Sequence, residues 1–212
     1  MYKNIVFDVD GTLVDSTHCA KAAYRQVILE ELGKTVSAGE LAHGMRYPTL
    51  KALEVFGFTD IPDALAKYHS KVLQAFTQVN IYSGVEETLA SIKQKNAILG
   101  IATARNKREL DGDVTFARIA SRFDCIVCAD DTERYKPDPD PLLLFFKQAN
   151  ARPQETLYIG DTKNDFLCAK SAGVHFALAL WGAETREGID AQYFLTRPQQ
   201  IIELLDECRT VP

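Results

Sequence analysis

The sequence predicts an α/β protein, an open doubly wound parallel sheet carrying an inserted bundle of helices near its amino terminus. Two observations carry this expectation. Short apolar runs recur at Ile5–Phe7, Ile98–Ala102, Cys125–Ala129, Leu157–Gly160 and Phe176–Leu180, with helical patterns between most of them. That alternation is the pattern of parallel strands joined by right-handed crossover helices. The interval from Asp15 to Asn80, by contrast, has no convincing strand and reads as helices placed between the first and second strands. The expected division is 1–14 with 81–212 as the sheet core and 15–80 as an inserted helical unit.

Taken in order, Ile5-Val6-Phe7 forms the first strand and runs straight into Asp8-Val9-Asp10-Gly11-Thr12. Ala20, Ala23, Tyr24, Val27, Ile28 and Leu32 then make an apolar stripe at helical spacing that stops at Gly33,. Pro48 opens a second helix through Leu50, Leu53 and Phe56 to Gly57,. A third begins near Pro62, with Leu65, Tyr68, Val72 and Phe76 facing inward. Together they are expected to fold as a small antiparallel bundle. Tyr24, Tyr68 and Phe76 read as packing residues of that bundle rather than ligand contacts. The remaining runs supply the later strands, and no internal repeat or low-complexity segment interrupts them.

Composition narrows the classes. The 212 residues are 46% hydrophobic and 25% charged, ordinary values for a globular protein,. The net charge of −5, with no run of Lys or Arg, argues against nucleic acid or an anionic membrane as partner,. The chain does not open with a basic segment followed by an apolar stretch, and runs such as Leu142–Phe146 are too short to span a bilayer,. A cytoplasmic protein is expected, with oligomeric state undetermined. Five cysteines without framework spacing fit a reducing compartment,. Cys125 and Cys128 form a C-x-x-C, but on a strand positions i and i+3 face opposite ways, so buried thiols are expected.

In a sheet of this kind sites form at the carboxyl ends of the strands. The residues that follow each run are Asp8 and Asp10, then Thr103, then Lys136, then Asp161 and Asp165. Asp8 and Asp10, two apart on extended chain, share a face and can reach one ligand. Four carboxylates against Lys136 alone leave a net charge of about −3, so the site calls for a hard cation. Mg²⁺ takes oxygen ligands and characteristically binds together with a substrate phosphate. A small phosphorylated metabolite is the expected partner.

These residues resemble the haloacid dehalogenase-like phosphohydrolases. "DVDGT" at Asp8–Thr12, Thr103, "KPDP" at Lys136–Pro139 and "GDTKND" at Gly160–Asp165 are similar to that family's four motifs, in the same order. The helical insertion is similar to the cap of the subgroup containing phosphoglycolate phosphatase and β-phosphoglucomutase. The resemblance implies a Rossmann-like core and a Mg²⁺-dependent phosphatase in which Asp8 attacks phosphorus and Asp10 acts as acid, then base. It further implies that Thr103 and Lys136 hold phosphoryl oxygens and that Gly11 presents its N–H to phosphate. Asp8, Asp161 and the Asp10 carbonyl would hold the metal, and Asp165 either joins them or orients Lys136. Ala104 and the cap residue Arg46 are candidate substrate contacts, and phosphoglycolate is the best single substrate guess.

The chain departs from the family pattern at Thr103-Ala104-Arg105, where Asn often follows the hydroxyl residue, and at Ser83, where Pro is usual. Plainer readings stand beside the functional ones. Asp8 and Asp10 could be D-G turn chemistry, Thr103 a helix cap, Lys136 a solvated loop lysine, and Asp138 and Asp140 turn residues. Arg46, Lys51 and Arg105 are either substrate-reading cations or solvated surface charges. His18, His43, His69 and His175 show no ligand spacing,. Other functions using related chemistry are a phosphomutase, a phospho-aspartate signalling module and a phosphate-ester binding protein.

Overall fold

The computed structural model describes residues 2–75 and 79–207. The expectation for Phe76 lies outside the described residues, as does Cys208. The chain divides into two compact units, one formed by residues up to Asp15 and from Ile81 onward, the other by Ser16–Asn80.

The first unit is a six-stranded sheet in which every neighbouring pair is parallel. Its strands are β1 (Asn4–Phe7), β2 (Ile98–Ala102), β3 (Cys125–Val127), β4 (Thr156–Gly160), β5 (His175–Ala179) and β6 (Tyr193–Leu195), in the order β3-β2-β1-β4-β5-β6. The order runs outward from β1 on one side and from β4 on the other, so the crevice between their carboxyl ends is the topological switch point. β1 and β4 are buried throughout, which is why they read as continuous apolar runs rather than alternating ones. Two details differ from expectation. The third run stops as a strand at Val127, because Ala129–Asp131 turns into a short 3₁₀ segment. β6 is an additional edge strand of only three residues, two of them half-buried.

Within this unit the helices are α5 (Val85–Gln94), α6 (Lys107–Asp111), α7 (Val114–Ala120), α8 (Asp140–Ala149), α9 (Lys163–Ala172) and α10 (Gln200–Glu207), numbered after four in the second unit. Val6, Phe145, Tyr158, Phe166 and Phe176 belong to one buried cluster beneath α8 and α9. Gly100 on β2 is required there, since a Cβ would meet the Phe145 ring at 2.3 Å.

The second unit comprises α1 (Thr17–Leu32), α2 (Ala38–Gly44), α3 (Thr49–Phe56) and α4 (Ile61–Ala75). α1 ends on Gly33 and α3 on Gly57, both left-handed caps,. α2 was not foreseen; a reciprocal Ser37–Glu40 capping box starts it,. Tyr24 stacks on Tyr68 with centroids 4.3 Å apart and lies 5.1 Å from Phe56, so both tyrosines are packing residues as expected.

Candidate active site

Asp8 follows β1 directly, and its N–H donates to the Ile159 carbonyl of β4 at 2.9 Å. The chain then folds back on itself: the N–H groups of Leu13 and Val14 donate to the Val9 carbonyl at 2.9 and 3.0 Å. Gly11 turns this loop with φ of 76°, where a Cβ would sit 2.2 Å from Asp161 Oδ2,. Its N–H, however, donates to the Val14 carbonyl at 2.9 Å. The expected phosphate donor is therefore already committed within the loop, and Gly11 serves the site through clearance against Asp161.

Lys136 lies between β3 and α8 with 5% of its surface exposed, which removes the solvated-loop reading. Its Nζ donates to Asp8 Oδ1 at 2.7 Å, to Asp165 Oδ1 at 2.7 Å and to Tyr158 Oη at 3.2 Å. These are as many donors as an ammonium has. Burial works against the ammonium, but Asp165 and Asp8 outweigh it and hold its pKa above the ordinary lysine value.

Asp165 sits in the first turn of α9, where a reciprocal Thr162–Asp165 capping box fixes it. Oδ1 accepts from Lys136 and from Tyr158 Oη at 2.9 Å, and Oδ2 accepts from the Thr162 N–H at 3.0 Å and its hydroxyl at 2.5 Å. Asp161 ends β4 and accepts from the Thr12 hydroxyl at 3.2 Å.

One oxygen each of Asp8, Asp161 and Asp165 lie within 4.8 Å of one another, all three residues buried. Desolvation pushes the Asp8 carboxyl up to about 7, against the opposing pull of Lys136 and with help from Asp165 and Asp10. Desolvation, Asp165 and Asp8 likewise raise Asp161 well above the ordinary carboxylate value. Three buried carboxylates share one ammonium, and two of them resist ionising. An all-oxygen donor set with that charge deficit fits a hard divalent cation.

The Asp10 carboxylate is not part of this cluster. It is held by Arg105, whose Nε donates to Oδ2 at 2.8 Å and Nη2 to Oδ1 at 2.5 Å. Lys136 is therefore not the lone cation of the site, and Arg105 is neither solvated nor reaching outward.

Thr103 is buried at the carboxyl end of β2; its hydroxyl accepts from the Arg105 N–H at 3.2 Å. It caps no helix, because Asn106 is the N-cap of α6. Ala104 beside it is exposed. Arg46 is exposed in the second unit between α2 and α3, and Lys51 pairs with Glu54 at 2.7 Å on α3. His175 pairs with Tyr2 at 2.6 Å at the start of β5, away from the carboxyl edge. Asp140 opens α8 and pairs with Arg134 at 3.1 Å. Cys125 and Cys128 are free thiols, and burial pushes Cys128 up to about 12, far from reactive,.

Three participants escaped the sequence reading. Tyr158 carries a phenol within an apolar run, a signal in itself, because a buried hydroxyl must find partners. Asp113 shows only as a helix N-cap. The loop after β5 offered no pattern, yet Trp181 Nε1 donates to the Thr12 carbonyl at 2.9 Å. In the same loop, a Cβ on Gly182 would lie 1.7 Å from the Gly11 carbonyl oxygen.

The fold and this carboxyl-edge cluster define a class. The haloacid dehalogenase-like hydrolase family model matches residues 5–179, and the chain belongs to that family. It is 29% identical over 189 residues to phosphoglycolate phosphatase 1 of Pseudomonas aeruginosa, an alignment covering 84% of this chain and 69% of the relative. It is 25% identical over 211 residues to the putative pyrophosphatase PpaX of Caldanaerobacter subterraneus, covering 96% and 94%. Among solved structures, the putative phosphoglycolate phosphatase of Lactobacillus plantarum superposes with a TM-score of 0.80 at 29% identity, covering 96% of this chain and 99% of that one.

Proposed function

We propose that the protein is a Mg²⁺-dependent phosphatase that hydrolyses a small phosphomonoester, phosphoglycolate foremost, through an aspartyl-phosphate on Asp8. The observation that carries this reading is the buried Asp8 carboxylate, held by Lys136 at 2.7 Å beside Asp161 and Asp165. A carboxylate needs no neighbouring base to act as nucleophile, only to be ionised and aimed. Lys136 does both. Asp165, with both oxygens engaged by Lys136, Tyr158 and Thr162, best serves as the residue that orients Lys136.

Asp8, Asp161 and the Asp10 carbonyl are the proposed holders of Mg²⁺, which when bound offsets the charge of the phosphoryl oxygens. Asp8 attacks phosphorus, the bond to the ester oxygen breaks, and Asp10, entering the step protonated, gives that oxygen its proton and is left as the carboxylate that Arg105 pairs with. Asp10 then accepts a proton from the water that hydrolyses the aspartyl-phosphate, returning Asp8. Thr103 offers its hydroxyl to a phosphoryl oxygen from the neighbouring strand end. Electrostatic positioning of this kind supplies most of the acceleration in phosphoryl transfer.

Inorganic phosphate release from phosphoglycolate, β-glucose 1-phosphate, pyrophosphate and p-nitrophenyl phosphate, with and without Mg²⁺, tests the reading. Multiple-turnover release that disappears on chelation and with Asp8→Asn is expected. Failure of every ester, with isomerisation of the sugar phosphate instead, would replace the phosphatase by a mutase.

A further inference from the structure

Arg105 is 8% exposed, and its guanidinium is divided between two carboxylates. Nε and Nη2 form a two-pronged contact to Asp10, while Nη1 donates to Asp113 Oδ2 at 2.6 Å. Asp113 is itself immobilised, because its Oδ1 accepts from the N–H groups of Thr115 and Phe116 at 2.8 and 3.0 Å as the N-cap of α7. The Arg105 backbone is fixed as well: its N–H meets the Thr103 hydroxyl and its carbonyl accepts from the Ala129 N–H at 2.8 Å. A cation that reads substrate from solution has no need of such an anchor.

A planar fork on both oxygens of a carboxylate sets its plane as well as its place. Proton transfer demands that placement, since an acid must stand within hydrogen-bond reach of the departing oxygen. The Asp10 side chain is 35% exposed where that of Arg105 is 9%, so Asp10 meets solvent while the guanidinium that holds it is buried. From this geometry we infer that Arg105 is the positioning residue of Asp10, braced on α7 through Asp113, and that the pose it sets is the one from which the leaving oxygen is protonated. The inference rests on the phosphatase reading and adds to it the device that aims the second carboxylate.

The test compares kcat/KM for an alkyl phosphate, phosphoglycolate, with that for p-nitrophenyl phosphate, whose leaving group departs without needing a proton. This ratio reports the step in which the ester bond breaks. Arg105→Ala is expected to lower kcat/KM for the alkyl ester by about 30-fold or more and for the aryl ester by about threefold or less, given that general acids contribute roughly 10²–10⁴. Asp113→Asn keeps the helix cap and is expected to shift the ratio in the same direction by a smaller factor, which carries the comparison if Arg105→Ala does not fold. In an Asp10→Ala background, adding Arg105→Ala is expected to change the alkyl-ester value less than about twofold, because both act through one group. Equal losses on both esters, losses that multiply in the Asp10→Ala background, or a raised KM with kcat unchanged would overturn the inference while leaving the phosphatase intact. A wild-type protein that releases phosphate from neither ester overturns the phosphatase reading and this inference with it.

Discussion

Tyr158 Oη lies 2.9 Å from Asp165 Oδ1, the same oxygen that accepts from Lys136 Nζ at 2.7 Å. It is also 3.0 Å from the Ala102 carbonyl of β2. The phenol thus joins two strands to the lysine that holds Asp8. Tyr158→Phe leaves Lys136 its two carboxylates but removes its third partner. The expected outcome is a loss of about 1–2 kcal/mol in urea unfolding and a kcat lower by about tenfold, with KM within twofold.

Stability should depend on pH and on Mg²⁺ together. Asp8 is pushed up to about 7 from 3.8 in the metal-free protein, so between those values the folded state holds a proton that the unfolded chain releases. Its contribution to metal-free stability is present below pH 4 and falls as pH rises through 7. A cation binds the ionised form, so its stabilising effect grows across the same window. Thermal unfolding at saturating Mg²⁺ is expected to show a Tm rise larger at pH 8 than at pH 6 by about 3–5 °C.

Asp8→Asn removes the proposed nucleophile and a buried carboxylate at once. Activity is expected to fall below about 10⁻³ of wild type, while the metal-free protein at pH 8 unfolds at the same temperature or higher. The amide has no ionisation to suppress. A metal-free Tm lowered by more than about 5 °C would mean that Asp8 is held chiefly by its pair with Lys136.

Gly182→Ala probes the loop after β5. The added methyl would come within 1.7 Å of the Gly11 carbonyl oxygen and 2.6 Å of its carbon, so backbone must shift where Gly11 already abuts Asp161. Destabilisation of about 2–3 kcal/mol is expected, with a kcat loss that saturating Mg²⁺ does not restore. Measuring both in the same preparation separates the two effects.

Part of this site was legible because Asp8, Thr103 and Asp161 directly follow apolar runs. These needed only the rule that parallel strands deliver their next residues to one edge. Which partner each would take was not legible. Arg105 and Asp113 are eight positions apart, yet nothing in that spacing announces a shared guanidinium; the pairing exists only once the N-cap of α7 meets the loop after β2. Charge counting went astray for the same reason, since a cation placed by folding cannot be counted from a motif. In the helical unit, α2 was overlooked because its apolar stripe amounts to little more than Leu41, although Ser37 and Glu40 spelled out its cap. β6 escaped through brevity.

Val14 forms an antiparallel bridge with Ile81, and the Tyr82 N–H donates to the Leu13 carbonyl at 3.0 Å. The chain therefore leaves the sheet and re-enters it through one closed neck. A loop clamped at its base adds only a slowly growing entropic burden however many residues it contains. The interval between Val14 and Ile81 can therefore change in length at little cost to the unit that bounds it,.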